Sequence, residues 1–192
     1  LLLLSLCLLM PLSTLSQAVA WQAPVNGEPS VGDPYFPQFG NSGYDAQHYH
    51  VALTIDMKKR EVQGTTTIEL TPTVDLRSFT FDLVGFDVTA VAVNGAPASF
   101  GRPTDKLRIT PPQPLPAGVA ASVRVAYSGK PSGQGLGGWY WSKGEGALYA
   151  PQPAGASRLF PCNDHPSDKA TFTFDVTTRR GTAAVANGLL QN

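Results

Sequence analysis

Residues 152–176, QPAGASRLFPCNDHPSDKATFTFDV, crowd Cys162, Asp164, His165, Asp168 and Lys169 into one proline-bounded run. A thiol, two carboxylates, an imidazole and an amine are the groups that nucleophilic and acid–base catalysis use, so the run is a candidate active site. A stiff turn accounts for the same residues without catalysis. Pro161 and Pro166 fix φ, and Pro166 drives His165 out of the helical region. The carboxylates of Asp164 and Asp168 can then accept backbone N–H groups, with Lys169 neutralising one of them. On this reading Asp164, His165, Asp168 and Lys169 are structural.

A second constellation is His48 and His50, two apart on one alternating segment and so on one face, a spacing that can chelate zinc. The third histidine, His165, is far away in sequence, and no H-E-x-x-H, C-x-x-C or D-x-D-x-D-G occurs. The pair reads as solvent-facing strand histidines. Nor is there a G-x-S-x-G elbow, a phosphate-cradling glycine loop or a dinucleotide fingerprint.

The elements that must position these residues are short strands. Tyr49, Val51, Leu53 and Ile55 alternate with polar or small residues; after the charged turn MKKRE the run VQGTTTIEL continues as the second strand of a hairpin. SFTFDL (78–83), DVTAVAV (87–93), PASF (97–100), KLRIT (106–110) and ASVRVAY (121–127) repeat the pattern, with Asn94-Gly95 as a type I′ turn signal. TFTFDVTT and TAAVANG read as two further strands. No helical period occurs after the first twenty residues. Seven or more such strands predict an all-β, antiparallel, saddle-like sandwich of two sheets. Residues 129–148 form a long glycine-rich loop carrying Trp139, Tyr140 and Trp141, and residues 21–43, with four prolines and four glycines, form an extended lead-in docked on the body.

The first twenty residues, LLLLSLCLLMPLSTLSQAVA, form an apolar block broken by Pro11 and closed by an A-x-A sequence, as in a secretory signal peptide, and too short for a membrane span. Residues 1–20 are therefore expected to direct export, leaving a periplasmic or secreted protein with no membrane contact beyond that segment. Cys7 would leave with it, so Cys162 has no disulfide partner and reads as a small buried hydrophobe. Fourteen basic residues balance fourteen acidic ones, which leaves no net field to attract nucleic acid. One core, spanning residues 44–192, fits the length.

The segment QPAGASRLFPCNDHPSDKATFTFDVTT followed by AVANG, with YDAQHYHVALTID before it, closely resembles the amino-terminal domain of zinc aminopeptidases of the aminopeptidase N and leukotriene hydrolase family. The resemblance runs from about Gly32 to Gly188. It implies a saddle-like β domain ahead of a mostly helical catalytic domain, absent from this chain, which holds the zinc. No catalytic or metal-binding residue is then expected here. Peptide substrates would be met through the parent protein, and the partner of this domain would be its own catalytic domain. Family members lend the cleft a glutamate or glutamine that receives the substrate's α-amino group, and the matching position is Gln152. An amide oxygen facing an ammonium gives a directional, charge-assisted hydrogen bond. Ser157 stands where members commonly carry arginine, with Arg158 one place later. The rival reading, from another class, is a free-standing secreted sandwich that binds carbohydrate or mediates adhesion through exposed Trp139 to Trp141.

Overall fold

A computed structural model describes residues 22–131, 138–142, 146–152 and 154–191. The expected signal peptide and Cys7 lie outside these. Twelve strands follow in order: β1 (Val25–Asn26), β2 (Tyr44–Asp56), β3 (Glu61–Pro72), β4 (Leu76–Asp82), β5 (Asp87–Val93), β6 (Ala96–Pro97), β7 (Ser99–Gly101), β8 (Lys106–Thr110), β9 (Ala121–Gly129), β10 (Gly138–Ser142), β11 (Gly146–Ala150) and β12 (Thr171–Thr177). Among the described residues the sole helical element is a single 3-10 turn, Ala156–Arg158. The all-β expectation holds.

Six strands form the larger sheet in the order β12-β2-β3-β9-β5-β6, and four form the smaller in the order β1-β4-β8-β7. Their facing sides share one core. Tyr49, Val51, Leu53, Ile68, Val123, Val125 and Tyr127 come from the large sheet, and Leu76, Phe79, Phe81, Leu107 and Ile109 from the small one. The expected hairpin pairs β2 with β3, Asp56 opposite Glu61. Asn94 and Gly95 both take positive φ (50° and 80°) between β5 and β6, as their turn signal required.

Four features depart from the sequence reading. The alternation of β2 changes phase: Tyr44 and Ala46 are buried, the register then shifts between Ala46 and His48, and Tyr49, Val51 and Leu53 take the inward positions. That extra residue is a bulge, which keeps both halves of a strand inward after a local bend. Two pairings are parallel, β12 with β2 and β1 with β4, in an otherwise antiparallel fold. TAAVANG is not a strand here; Val185 is 95% exposed and has no ladder to join among the described residues. The glycine-rich loop contains a regular hairpin, β10 with β11, with Trp139 opposite Tyr149 and Tyr140 opposite Leu148.

Gly64 shows how closely the large sheet is packed. It lies opposite Tyr127, whose ring covers the space a side chain would take, and the Tyr127 hydroxyl meets Thr66 Oγ1 at 3.2 Å and donates to the Leu159 carbonyl at 3.0 Å. Adding a methyl at Gly64 displaces the ring and both contacts. Gly64→Ala is expected to destabilise the fold by roughly 2 kcal/mol, within the cost of overpacking a filled core. Urea unfolding monitored by circular dichroism checks this: a midpoint equal to the parent's rules out the packing described.

Candidate functional site

The run from Phe160 to Asp168 is a buried joint. Cys162 forms an isolated bridge with Asp82 at the end of β4, with N–H···O bonds of 2.7 and 3.1 Å. Phe160 enters the core against Tyr49 and Phe174, and the Asn163 amide donates to the Tyr49 hydroxyl at 3.0 Å. Asn163 Oδ1 accepts the Asn41 N–H at 2.7 Å, and its Nδ2 donates to the Asn41 carbonyl and to Asp168 Oδ2. Asp168 Oδ1 accepts the Ala46 N–H at 3.2 Å, and Asp164 Oδ2 accepts the N–H and Oγ of Ser157 at 3.2 and 2.7 Å. Both aspartates thus serve the backbone, as the turn reading requires.

The cation of the joint is not Lys169, which is exposed and makes no ion pair among the described residues. It is Lys106 on β8, whose Nζ lies 2.5 Å from Asp82 Oδ1 and donates to the Gly40 carbonyl at 2.8 Å; the two side chains are 12% and 10% exposed. Asp82 Oδ2 accepts from Asn41 Nδ2 at 2.8 Å and from the Asp164 amide at 3.0 Å. Burial pushes the Asp82 carboxyl above its ordinary value, and the Lys106 ammonium and the Asp164 amide pull it back only partly. Asp168 is raised for the same first reason, against its bond from Asn163. Asn41, Asp82 and Lys106 escaped the sequence reading because their partners are distant along the chain: Asn41 lies 41 residues from Asp82 and 122 from Asn163, and Asp82 lies 82 from Asp164.

Cys162 is buried and free, as expected, and burial followed by the neighbouring carboxylates pushes its thiol well above the ordinary value. An attacking thiolate needs the opposite environment. His165 is occupied too, with Nδ1 2.7 Å from Ser167 Oγ and Nε2 3.3 Å from Asp33 Oδ2 in the lead-in. His48 and His50 share the outer face of β2, but Thr171 and Thr173 hydroxyls flank the His48 ring and Asp175 Oδ2 lies 2.6 Å from His50 Nε2. Among the described residues no group of three His, Cys, Asp or Glu side chains could hold a metal ion.

Above the joint sits the β10–β11 hairpin. Trp139 is 3% exposed, stacks on Trp141 at 5.0 Å and donates from Nε1 to the Arg158 carbonyl at 3.2 Å. The Tyr149 hydroxyl donates to the Gly155 carbonyl. The tryptophan platform of the rival reading is therefore turned inward, because indole area is worth more in the core than in water. Tyr140 and Leu148 face out instead, 42% and 61% exposed. Gln152 follows two residues after β11, exposed, between a strand and a turn that are both tied to the 155–158 segment. Ser157 uses its small side chain to hold Asp164, and Arg158 supplies a carbonyl to Trp139.

These features define a β-sandwich domain that stiffens one turn and holds a polar loop residue out beside it. Residues 45–192 match the Peptidase M1 N-terminal domain family. The chain belongs to that family. Among solved structures, an M1 zinc metallopeptidase from Deinococcus radiodurans is 35% identical, with a TM-score of 0.77 over 85% of this chain. A mutant of an M1 zinc metallopeptidase from the same organism, bound to a Tyr-Ser-Ala substrate, is 34% identical with a TM-score of 0.77, and a two-domain M1 zinc metallopeptidase mutant bound to L-arginine is 34% identical with a TM-score of 0.78. This chain spans 39% of the length of each of those solved chains.

Two measurements test the joint. Asp82→Asn strands the Lys106 ammonium in the interior and is expected to destabilise by about 3 kcal/mol, whereas adding Lys106→Met to it should recover a large part of the loss. If both variants unfold at the parent's urea concentration, the buried pair is not the tie described. Iodoacetamide at pH 8 should leave the Cys162 peptide unmodified in the folded chain and label it fully in urea; native labelling at the rate of a free thiol contradicts its burial.

Proposed function

We propose that this chain is the non-catalytic amino-terminal domain of an exported zinc aminopeptidase, where it forms one wall of the substrate cleft. The family match and the solved relatives, which are M1 zinc metallopeptidases, support the peptidase parent. One observation carries the cleft role: Gln152 is exposed and makes no hydrogen bond among the described residues, although the segments on either side of it are tied down by Tyr149, Trp139 and the buried joint.

In this proposal the Gln152 side-chain oxygen accepts a hydrogen bond from the α-ammonium of an incoming peptide. Its neutral amide supplies direction and little charge, so an acidic group from the rest of the parent completes the ammonium site. The hinge residues Asp164 and Asp168 act on this step only by holding the turn. Zinc belongs to the remainder of the parent protein, where it supplies an activated water for attack on the first peptide bond. No residue of this chain is assigned to it. Export rests on the apolar first twenty residues, and the destination is the periplasm or the exterior.

In the parent enzyme Gln152→Ala should lower kcat/KM for an aminoacyl reporter roughly 10- to 100-fold, the worth of one hydrogen bond to a charged group. Gln152→Glu should retain or improve recognition of the free amine. Equal kcat/KM in parent and Gln152→Ala removes the substrate role of this residue. The chain by itself, incubated with zinc and the same reporter, should show no turnover above a denatured control; activity there overturns the non-catalytic assignment.

A further inference from the structure

Gln152 lies midway between Tyr149 and Gly155, and one side-chain bond joins those two residues: the Tyr149 hydroxyl donates to the Gly155 carbonyl. The Gly155 end is anchored in the body. It opens the 3-10 turn Ala156–Arg158, in which Asp164 holds the Ser157 N–H and Oγ and the Ser157 carbonyl accepts the Val84 N–H at 2.8 Å. The Tyr149 end has no such anchor in its backbone. Among the described residues β10 and β11 pair only with each other, outside the two main sheets, so side chains must seat the hairpin on the body. A lone two-stranded hairpin has little stability of its own. Two aromatic donors tie it down, Trp139 to the Arg158 carbonyl and Tyr149 to the Gly155 carbonyl, with the two rings in contact at a centroid distance of 5.2 Å.

We propose, resting on the reading of Gln152 as the acceptor for the α-ammonium, that Tyr149 is a positioning residue for the substrate's amino terminus: its hydroxyl closes the loop that carries the Gln152 amide. The two aromatic ties do different work. The Trp139 bond spans 19 positions and seats the hairpin, whereas the Tyr149 bond spans six, with Gln152 at the centre. Chain freedom between tied ends falls as the loop shortens, so the Tyr149 bond is the one that restrains Gln152. Burial pushes the Tyr149 hydroxyl above its ordinary value, so it stays protonated and remains a donor. The Gly155 carbonyl also accepts the Arg158 N–H at 2.9 Å, so loss of the hydroxyl leaves no orphaned acceptor there. Tyr149→Phe therefore keeps the ring against Trp139 and loosens the loop. A displacement of about 1 Å at a reacting site can cost roughly 100-fold in rate. With the Trp139 tie intact, a fall of roughly three- to tenfold is expected, smaller than for Gln152→Ala.

The test compares the parent enzyme with its Tyr149→Phe, Gln152→Ala and doubly substituted forms, after circular dichroism has shown that each keeps its fold. Two inhibitors that differ only in the amine, L-phenylalanine and 3-phenylpropanoate, serve as probes beside the aminoacyl reporter. Tyr149→Phe should lower kcat/KM roughly three- to tenfold and raise the inhibition constant of L-phenylalanine by a similar factor, while that of 3-phenylpropanoate moves by less than about twofold. In the Gln152→Ala background the same change should have almost no further effect, because the group it positions is gone. Parental kcat/KM in Tyr149→Phe, equal weakening of both inhibitors, or an undiminished effect without Gln152 each overturns the positioning role and leaves the Gln152 assignment standing. A Gln152→Ala enzyme with parental kcat/KM removes that assignment and the role of Tyr149 with it.

Discussion

The buried pair between Asp82 and Lys106 sets the terms for the rest of this domain. An ammonium and a carboxylate taken out of water gain nothing unless every remaining valence is met, and here the valences are met by segments from all parts of the chain. Gly40 and Asn41 close over the pair from the lead-in, Asp164 donates its amide from the hinge, and Thr80 holds Asn41 from within β4. The lead-in is consequently part of the folded body, and its glycine at position 40 takes a positive φ of 71° with His165 and Val31 occupying the space a Cβ would need.

The fold was largely readable because the signal lies in nearest neighbours along the chain. Alternation of period two marks each strand wherever one face is wet and the other dry, and Asn94-Gly95 marks a turn by its own tolerance of positive φ. What could not be read depends on distance. The bulge at Gln47 inserts one residue into an otherwise regular pattern, and the parallel seating of β12 depends on where β2 already lies. TAAVANG has the composition of a strand and finds no partner among the described residues. For Trp139, the sequence shows three aromatics on a glycine-rich loop without showing which side of the hairpin they occupy.

The same division applies to the site. The motif around Cys162 draws attention by its chemistry, and its chemistry is absorbed by structure: a thiol suppressed by burial, two carboxylates bonded to backbone, a histidine held between Ser167 and Asp33. The residue left facing outward is the chemically plainer Gln152. At Ser157 a hydroxyl and a backbone amide together satisfy the Asp164 oxygen.

The parallel ladder between β12 and β2 also bears on how the chain is made. Thr171 and His48 are 123 positions apart, yet their side chains are in contact and their strands in register. On a ribosome, β2 and β3 can zip together as soon as both have emerged, whereas the other side of β2 stays bare until Thr171–Thr177 have left the exit tunnel. Long-range pairings of this kind are slow to close. From the emergence of β2 until β12 follows it, the nascent chain therefore carries Tyr49, Val51 and Leu53 next to an open flank, an interval in which a holding chaperone has more to protect than after the ladder has closed.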